Sequence, residues 1–354
     1  MQPNMTAVTA FLVDLLNTPS PTGYHDEAMA FLAGALDGLA LPGLSWRRTV
    51  KGALVATVIG ADQRLPHRAT AAHVDTLGAM VREVKPNGRL LLTQLGGYTW
   101  QSVEGEGVTI ICVGDGRRYR GTIQPVHPSV HTSSEAREAK REDETMEVRI
   151  DARVSTREET EALGIAVGDF VSLDPRVEVT DSGYIKSRHL DDKAGVAALY
   201  GALLALREGA TRPAATSHLF FSNYEEVGHG AAVGVPAEAE ELVVVDMAAS
   251  TTGEHQNSDE YSVGICAKDS SGPYDLDLRR RLVRLCGIGD IPYRVDTYPH
   301  YGSDGSAYLR AGGNVRVAVI GPGVDASHAY ERTHADSLEA TIRLLTAYLM
   351  DADA

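Results

Sequence analysis

Apolar positions recur every three or four residues in several segments of the chain, which is the period of an amphipathic helix. This pattern predicts helices over residues 6–17, near residues 25–39, and in AGVAALYGALLALREG, SGPYDLDLRRRLVRLCG and DSLEATIRLLTAYLMD. Shorter apolar runs predict strands in ALVATVIG, HRATAAHVDTLGAMVREV, SHLFFSNYEE, ELVVVDMA and NVRVAVIG. Because strands alternate with helices, we expect an α/β domain with a mostly parallel central sheet flanked by helices.

The middle of the chain has a different pattern. Between residues 85 and 183, short strand-like runs such as GVTIICVGDG and MEVRIDARV are separated by glycines and polar turns. Such spacing predicts a small all-β barrel or sandwich. We therefore expect an α/β domain in two parts, residues 1–84 and 184–354, with a β-rich domain inserted at residues 85–183.

Composition and charge narrow the classes of partner. The formal net charge of −15 argues against binding to nucleic acid or to anionic membrane surfaces. No run approaches the roughly 18 apolar residues of a membrane helix, and the N-terminus lacks the pattern of a secretory signal, so we expect a cytoplasmic protein. Cys112, Cys266 and Cys286 are widely spaced and indicate neither disulfides nor a thiolate metal site.

Several acidic and histidine residues lie at the ends of predicted strands. His73 and Asp75 are two positions apart, so on one strand their side chains lie on the same face. One of them could ligate a metal while the other orients the ligating side chain. Asp246 follows the apolar run ELVVV, where open α/β sheets place ligand-binding groups. Glu225 and Glu226 follow another strand, although they could instead begin a solvent-facing turn.

Two further pairs have equally ordinary explanations when taken singly. Asp191 and Asp192 precede an apolar helix, where carboxylates commonly cap the helix and favour its dipole. His328 and His334 lie just before the last helix, where most histidines are simply solvated.

Considered together, the same residues could form one site, because parallel strands bring their carboxyl ends to one edge of a sheet. One His, two Asp, one Glu and a final His could ligate two metals if one carboxylate bridges them. A set of oxygen and imidazole donors without sulfur suits zinc, and also cobalt or manganese. A second glutamate beside a ligand glutamate could then accept the proton of an activated water.

Six motifs resemble those of the tetrahedral aminopeptidase family, which includes the glutamyl aminopeptidases. In family order they are AAHVDTLGAMV, RHLDDKAG, YEEVGHGA, VVVDMA, YGSDGSA and ERTHADSLEA, and the likeness covers essentially the whole chain. The resemblance implies a dinuclear zinc-exopeptidase-like domain with a PDZ-like β insertion. It also implies a homo-oligomer built from dimers, which in tetrahedral members is a dodecamer.

The resemblance also implies a role for each ligand. Asp191 would bridge two divalent cations, zinc first and cobalt or manganese as alternatives. His73 and Asp246 would complete one metal site, and Glu226 and His334 the other.

Two further residues are implied to take part in catalysis. Glu225 would be the general base, and Asp75 would orient His73. The family pattern also implies a cis peptide bond between Asp191 and Asp192, with Asp192 outside the ligand set.

The function implied is a metallo-aminopeptidase that hydrolyses N-terminal residues from small peptides. Two alternatives remain: a dinuclear deacylase or amidase acting on acylated amino acids or small dipeptides, and a catalytically silent oligomeric binding shell. Three positions depart from the commonest family pattern, namely Thr76, His189 and His229, and these could alter specificity.

Overall fold

The computed structural model describes residues 1–250 and 255–353. Its α-helices are Met5–Leu16 (α1), Asp26–Leu39 (α2), Glu135–Glu138 (α3), Arg157–Ala162 (α4), Leu190–Glu208 (α5), Leu276–Gly289 (α6), Asp304–Arg310 (α7) and Ala335–Met350 (α8). The five helices predicted from apolar periodicity are all present. Helix α7 was missed because its 7 residues are too few to establish a period.

The strands follow in chain order. They are Leu44–Arg48 (β1), Leu54–Val58 (β2), His67–His73 (β3), Gly78–Val84 (β4), Leu90–Leu95 (β5), Gly107–Ile111 (β6), Arg118–Pro125 (β7), Met146–Ile150 (β8), Phe170–Leu173 (β9), Glu178–Val179 (β10), Tyr184–Ser187 (β11), Ser217–Ser222 (β12), Ala239–Val245 (β13), Ala248–Ser250 (β14), Val263–Lys268 (β15), Tyr293–Thr297 (β16), Arg316–Asp325 (β17) and Glu331–His334 (β18).

Twelve strands form one large sheet whose centre is parallel. Strands β12, β3, β13 and β17 lie side by side in parallel, while β2, β15 and β18 join this centre in antiparallel orientation. The predicted α/β fold is confirmed, with the refinement that the sheet is mixed outside its central strands. All four central strands therefore end at the same edge of the sheet.

The other six strands close into a barrel in the order β4-β5-β8-β7-β6-β9. It has its own apolar core, which confirms the predicted small all-β insertion. The barrel runs from Gly78 to Leu173, so both ends differ from the expected bounds of 85 and 183. One continuous apolar pattern covers β3 and β4, and only the fold shows that the chain changes sheets between them.

Helix α5 lies at the centre of the α/β domain. It is apolar on every side and buried along almost its whole length, as expected of a helix covered all round. It contacts β3, β13 and β17 of the sheet and helices α1, α2 and α8. Its N-terminus therefore brings Asp191 to the edge where the central strands end. None of the described helices is long and apolar enough to cross a membrane.

The backbone of strand β17 lies in close contact with the backbone of Asp246. The Asp246 N–H donates to the Ile320 carbonyl oxygen at 2.9 Å, and a Cβ added at Gly321 would lie 1.8 Å from the Asp246 carbonyl oxygen. We expect Gly321→Ala to lower the free energy of unfolding by about 1–3 kcal/mol, measured by urea denaturation, because the strands must separate.

Gly34 provides the matched control for this substitution. It lies exposed within α2, and a Cβ there meets no atom within 4 Å. Gly34→Ala should raise the free energy of unfolding by up to about 1 kcal/mol, because alanine favours helix. Equal losses in the two variants would exclude close strand approach as the cause.

Candidate active site

The candidate residues come from four different elements that meet at one edge of the sheet. His73 is the last residue of β3, Asp246 follows β13, and Glu225 and Glu226 lie on the loop after β12. Asp191 lies at the start of α5. Because β3, β12 and β13 are parallel neighbours, their carboxyl ends meet, as the sequence pattern predicted.

The Asp191 carboxylate lies between two histidines. Its Oδ1 is 3.1 Å from His73 Nε2, and its Oδ2 is 3.4 Å from His328 Nε2. His328 Nε2 is also 3.7 Å from Glu226 Oε2. Each oxygen of Asp191 thus faces a different imidazole, which is the arrangement that a bridging carboxylate requires. The Asp191–Asp192 peptide bond is cis, as the family resemblance implied.

Both imidazoles present the same nitrogen to the cluster. His73 Nδ1 lies 2.9 Å from the Asp75 carbonyl oxygen, and His328 Nδ1 contacts the Gly97 carbonyl oxygen. A carbonyl oxygen only accepts, so Nδ1 carries the proton in each ring. The Nε2 atoms are therefore directed at the carboxylates, as is usual for histidines that ligate metals.

His334, which the resemblance assigned to the second metal site, does not reach the cluster, and this expectation is corrected. Its Nδ1 accepts the Asp336 N–H at 3.1 Å and caps α8, and its Nε2 lies 2.9 Å from the Ser182 carbonyl oxygen. Both ring nitrogens are thus occupied. Side chains on β18 alternate, so Glu331 and Thr333 face inward and His334 faces the other side. His328 is in the place expected for His334.

Asp246 and Asp192 lie on the other side of His73. Donor atoms of His73, Asp192 and Asp246 all lie within 4.8 Å of one another, and so do those of His73, Asp191 and Glu226. The two Asp192 oxygens each accept a backbone N–H at 3.2 Å, one from His73 and one from Gly195. Asp192 therefore supports the position of His73, whereas Asp246 is the freer donor.

Asp75 links His73 to the glutamate loop. Its carboxylate accepts the N–H of Glu225 at 3.1 Å, the N–H of Glu226 at 3.4 Å and the Thr22 hydroxyl at 2.8 Å. The hydrogen-bonded contact to the His73 ring comes from the Asp75 backbone carbonyl, while the carboxylate lies 3.6 Å from Nδ1. Asp75 thus anchors both His73 and the two glutamates.

Burial and the crowding of like charges strongly shift the pKa values of the clustered carboxylates. Burial, with the added charge of Asp191, raises the pKa of Glu226 to about 8 and that of Asp246 to about 7. Burial also raises the pKa of Glu225, with His73 opposing and Asp246 adding to the shift. For Asp191, burial acts to raise the pKa, but hydrogen bonds with His328 and His73 outweigh it and lower the pKa.

These features fit a site for divalent cations. Buried carboxylates outnumber the two histidines, and such crowding is costly unless further positive charge is present. Glu226 Oε1 is buried and has no hydrogen-bond partner among the described residues. A cavity of about 440 Å³ opens onto Asp191, Glu225, Glu226, Asp246 and His328. The site is therefore accessible to a small molecule through this cavity.

Three residues important for this geometry were not recognised as such in the sequence. His328 was noted only as one of two histidines, and Glu331 only as the first residue of the motif ERTHADSLEA. Asp304, within the motif YGSDGSA, is buried and accepts the Ala231 N–H at 2.6 Å and the Ser222 hydroxyl. It thereby closes the base of the loop that presents Glu225 and Glu226.

The three positions that depart from the family pattern lie around the cluster rather than in it. His189 is buried with Nε2 at 3.2 Å from the Leu173 carbonyl oxygen, and burial lowers its pKa to about 3. His229 stacks on Tyr224, and Thr76 pairs through its backbone N–H with the Ser20 carbonyl oxygen. These contacts are structural and do not reach the carboxylates.

Residues 52–344 match the model of the M42 glutamyl aminopeptidase family. The chain belongs to this family. A protein of Bacillus subtilis named "Putative aminopeptidase YhfE" is 46% identical over 340 residues, which cover 95% of each chain. Family membership makes the protein a hydrolase of the aminopeptidase class, as its six motifs predicted. M42 peptidases are metal-dependent, which agrees with the clustered donors.

Solved structures of other peptidases superpose over nearly the whole chain. The aminopeptidase APDkam598 of Desulfurococcus kamchatkensis has a TM-score of 0.88 at 20% identity, covering 98% of this chain and 95% of its own. The TET1 peptidase of Pyrococcus horikoshii has a TM-score of 0.82 at 20% identity, covering 97% and 99%. At such identity the likeness shows the fold, including the inserted barrel.

Proposed function

We propose that this M42 protein is a dinuclear-metal aminopeptidase that removes N-terminal residues from small peptides, with Glu225 as general base. The observation that supports it most directly is the Asp191 carboxylate, whose two oxygens face His73 and His328 at 3.1 and 3.4 Å. A carboxylate directed at two imidazoles is suited to bridge two cations. The cavity beside it leaves room for the end of a peptide.

We assign His73, Asp191 and Asp246 to one cation, and Asp191, Glu226 and His328 to the other. This retains four of the five ligands expected from the motifs and replaces His334 by His328. Zinc suits the mixed oxygen and nitrogen donors best, with cobalt or manganese as alternatives. Divalent cations held by these residues would supply Lewis-acid chemistry, polarising a scissile carbonyl and lowering the pKa of a bound water.

The surroundings of Glu225 support the role of a base rather than that of a ligand. It lines the cavity, and its Oε2 lies 3.8 Å from His73 Nε2, farther than either Asp191 contact. Its side chain keeps 17% exposure, whereas that of Glu226 keeps 4%. Glu225 takes a proton from the attacking water, holds it on its carboxyl group, and returns it to the departing amine. Its raised pKa favours holding that proton.

The proposal also covers assembly and location. The Pyrococcus TET1 peptidase is described as assembling into a tetrahedron or a large octahedral shell. By this likeness we propose that the present chain forms homo-oligomers built from dimers, with the dodecamer as one form. Small peptides are its partners, and its net charge of −15 disfavours nucleic acid and anionic membranes. We retain the cytoplasmic location expected from the sequence.

Metal removal and a matched substrate pair test the proposal. We expect the purified protein to hydrolyse leucine p-nitroanilide but not its N-acetylated counterpart, and to lose this activity in a chelator. The thermal unfolding midpoint should also fall, because a cation bound only by the folded state at 100 times its dissociation constant contributes about 2.7 kcal/mol. Zinc, cobalt and manganese should each restore both properties to different degrees.

Other outcomes would favour the alternatives. Preferential hydrolysis of the acetylated substrate would indicate a deacylase or amidase acting on acylated amino acids. No hydrolysis of either compound, together with no retained or added metal by elemental analysis, would indicate a catalytically silent oligomeric shell. Either result would contradict the proposed aminopeptidase activity.

A further inference from the structure

Glu331 is a fully buried glutamate beside the cluster and outside the proposed ligand set. It begins β18 and has a relative exposure of 0%. Within the described residues no lysine or arginine forms an ion pair with it. A buried carboxylate without a cationic partner is costly unless its oxygens accept hydrogen bonds. The partners that Glu331 has are therefore informative.

Both oxygens of Glu331 accept backbone N–H groups of residues proposed to bind metal. Oε2 accepts from Asp191 N at 3.0 Å, and Oε1 accepts from His328 N at 3.2 Å. Asp191 belongs to the start of α5, and His328 to the loop before β18, more than 130 positions later in the chain. One carboxylate thus joins two distant segments at the point where each presents a donor to the same cation.

The loop that holds His328 needs such support. His328 has φ of 65° and Ala326 has φ of 59°, both in the left-handed region. This conformation costs non-glycine residues about 1–2 kcal/mol each, so it persists only when the surroundings enforce it. The hydrogen bond from His328 N to Glu331 fixes the backbone at the strained position itself.

We propose that Glu331 is a positioning residue that sets the separation of Asp191 and His328 and thereby the affinity of the second cation. The inference rests on the proposed function, because it assumes that these two residues bind metal. Glu331 acts through the backbone of both ligands and touches neither cation nor substrate. It differs from Asp75 and Asp192, which support His73 and the glutamate loop.

Glu331→Gln is the direct test. The glutamine has nearly the same shape but only one acceptor oxygen, so one of the two N–H groups loses its partner. Loss of such supporting contacts typically weakens metal binding about 10- to 100-fold. We expect a decrease of that size in cobalt affinity, measured by competition with a chromophoric chelator. The visible absorption of the cobalt-loaded protein should also change, because the ligand geometry relaxes.

Glu241→Gln is the matched control. Glu241 is a buried glutamate near the opposite end of the central sheet, where it accepts hydrogen bonds from Tyr348 at 2.9 Å and from Arg281 at 3.3 Å. This variant should lose stability while keeping the cobalt affinity and spectrum of the parent. A purely structural role for Glu331 predicts that the two variants behave alike. That result would overturn the proposal.

A second variant tests the proposal if Glu331→Gln folds poorly. Glu331→Asp keeps the carboxylate but is one methylene too short to reach both N–H groups, so it should show the same weaker cobalt binding. Parent-like cobalt affinity in a folded Glu331 variant would overturn the positioning role while leaving the proposed function intact. Failure of the parent protein itself to bind cobalt would instead contradict the proposed function.

Discussion

Glu225→Gln should lower kcat by about 100- to 10,000-fold, the range that general acid–base catalysis supplies. Glutamine fills the same space but cannot accept a proton from water or return one to the leaving amine. The side chain is not among the proposed ligands, so metal content should remain that of the parent protein. Steady-state hydrolysis of leucine p-nitroanilide and elemental analysis of the same preparations would check both expectations.

The neighbouring Glu226 is the matched control, because it lies on the same loop and is buried in the same cluster. Glu226→Ala should lose metal, since its carboxylate lies 3.7 Å from His328 Nε2 and carries a buried oxygen with no hydrogen-bond partner in the described part of the chain. Activity should then return partly at high concentrations of added metal. Equal metal loss in Glu225→Gln and Glu226→Ala would contradict the division into base and ligand.

His328→Ala should abolish binding of one cation and lower kcat/KM by more than about 100-fold, the upper range for residues that merely support a ligand. The structural reason is that His328 Nε2 is the imidazole facing both Asp191 and Glu226. Its removal leaves Asp191 with the imidazole of His73 alone and takes from Glu226 the imidazole that it faces at 3.7 Å. Metal stoichiometry and kinetics over a range of zinc and cobalt concentrations would measure the effect.

His334→Ala should behave very differently, although the family motif assigned the ligand to this position. His334 caps α8, and loss of a capping side chain costs about 1 kcal/mol of stability. Metal content and kcat/KM should remain unchanged. The opposite pattern, with metal lost on replacing His334 and kept on replacing His328, would restore the assignment made from the motif.

The central helices and strands were predictable because their residues repeat with a local period. The apolar surfaces of α5 and of the runs around β12 and β13 must be covered, and this requirement alone identifies them. Candidate residues at strand ends were predictable for the same reason, since parallel strands end together. The short helix α7 has no period, and it was not predicted.

The limits of the inserted barrel were not predictable in detail. A single apolar pattern runs through β3 and β4, although the first belongs to the large sheet and the second to the barrel. Local hydrophobicity predicts that a residue is buried, but it does not indicate which sheet buries it. Strands β3 and β4 pair with strands far along the chain. The position at which the chain passes from the large sheet to the barrel therefore depends on those distant partners.

The sequence by itself determined the α/β fold with its β insertion, the family, and the presence of carboxylates and histidines at one sheet edge. Only the tertiary structure decided that His328, and not His334, completes the cluster, and that Glu331 joins Asp191 to it. The reason is physical: the two histidines are six positions apart in the chain, and both lie before the same helix. Strand alternation and hydrogen bonds to distant carbonyl groups determine which imidazole faces the carboxylates.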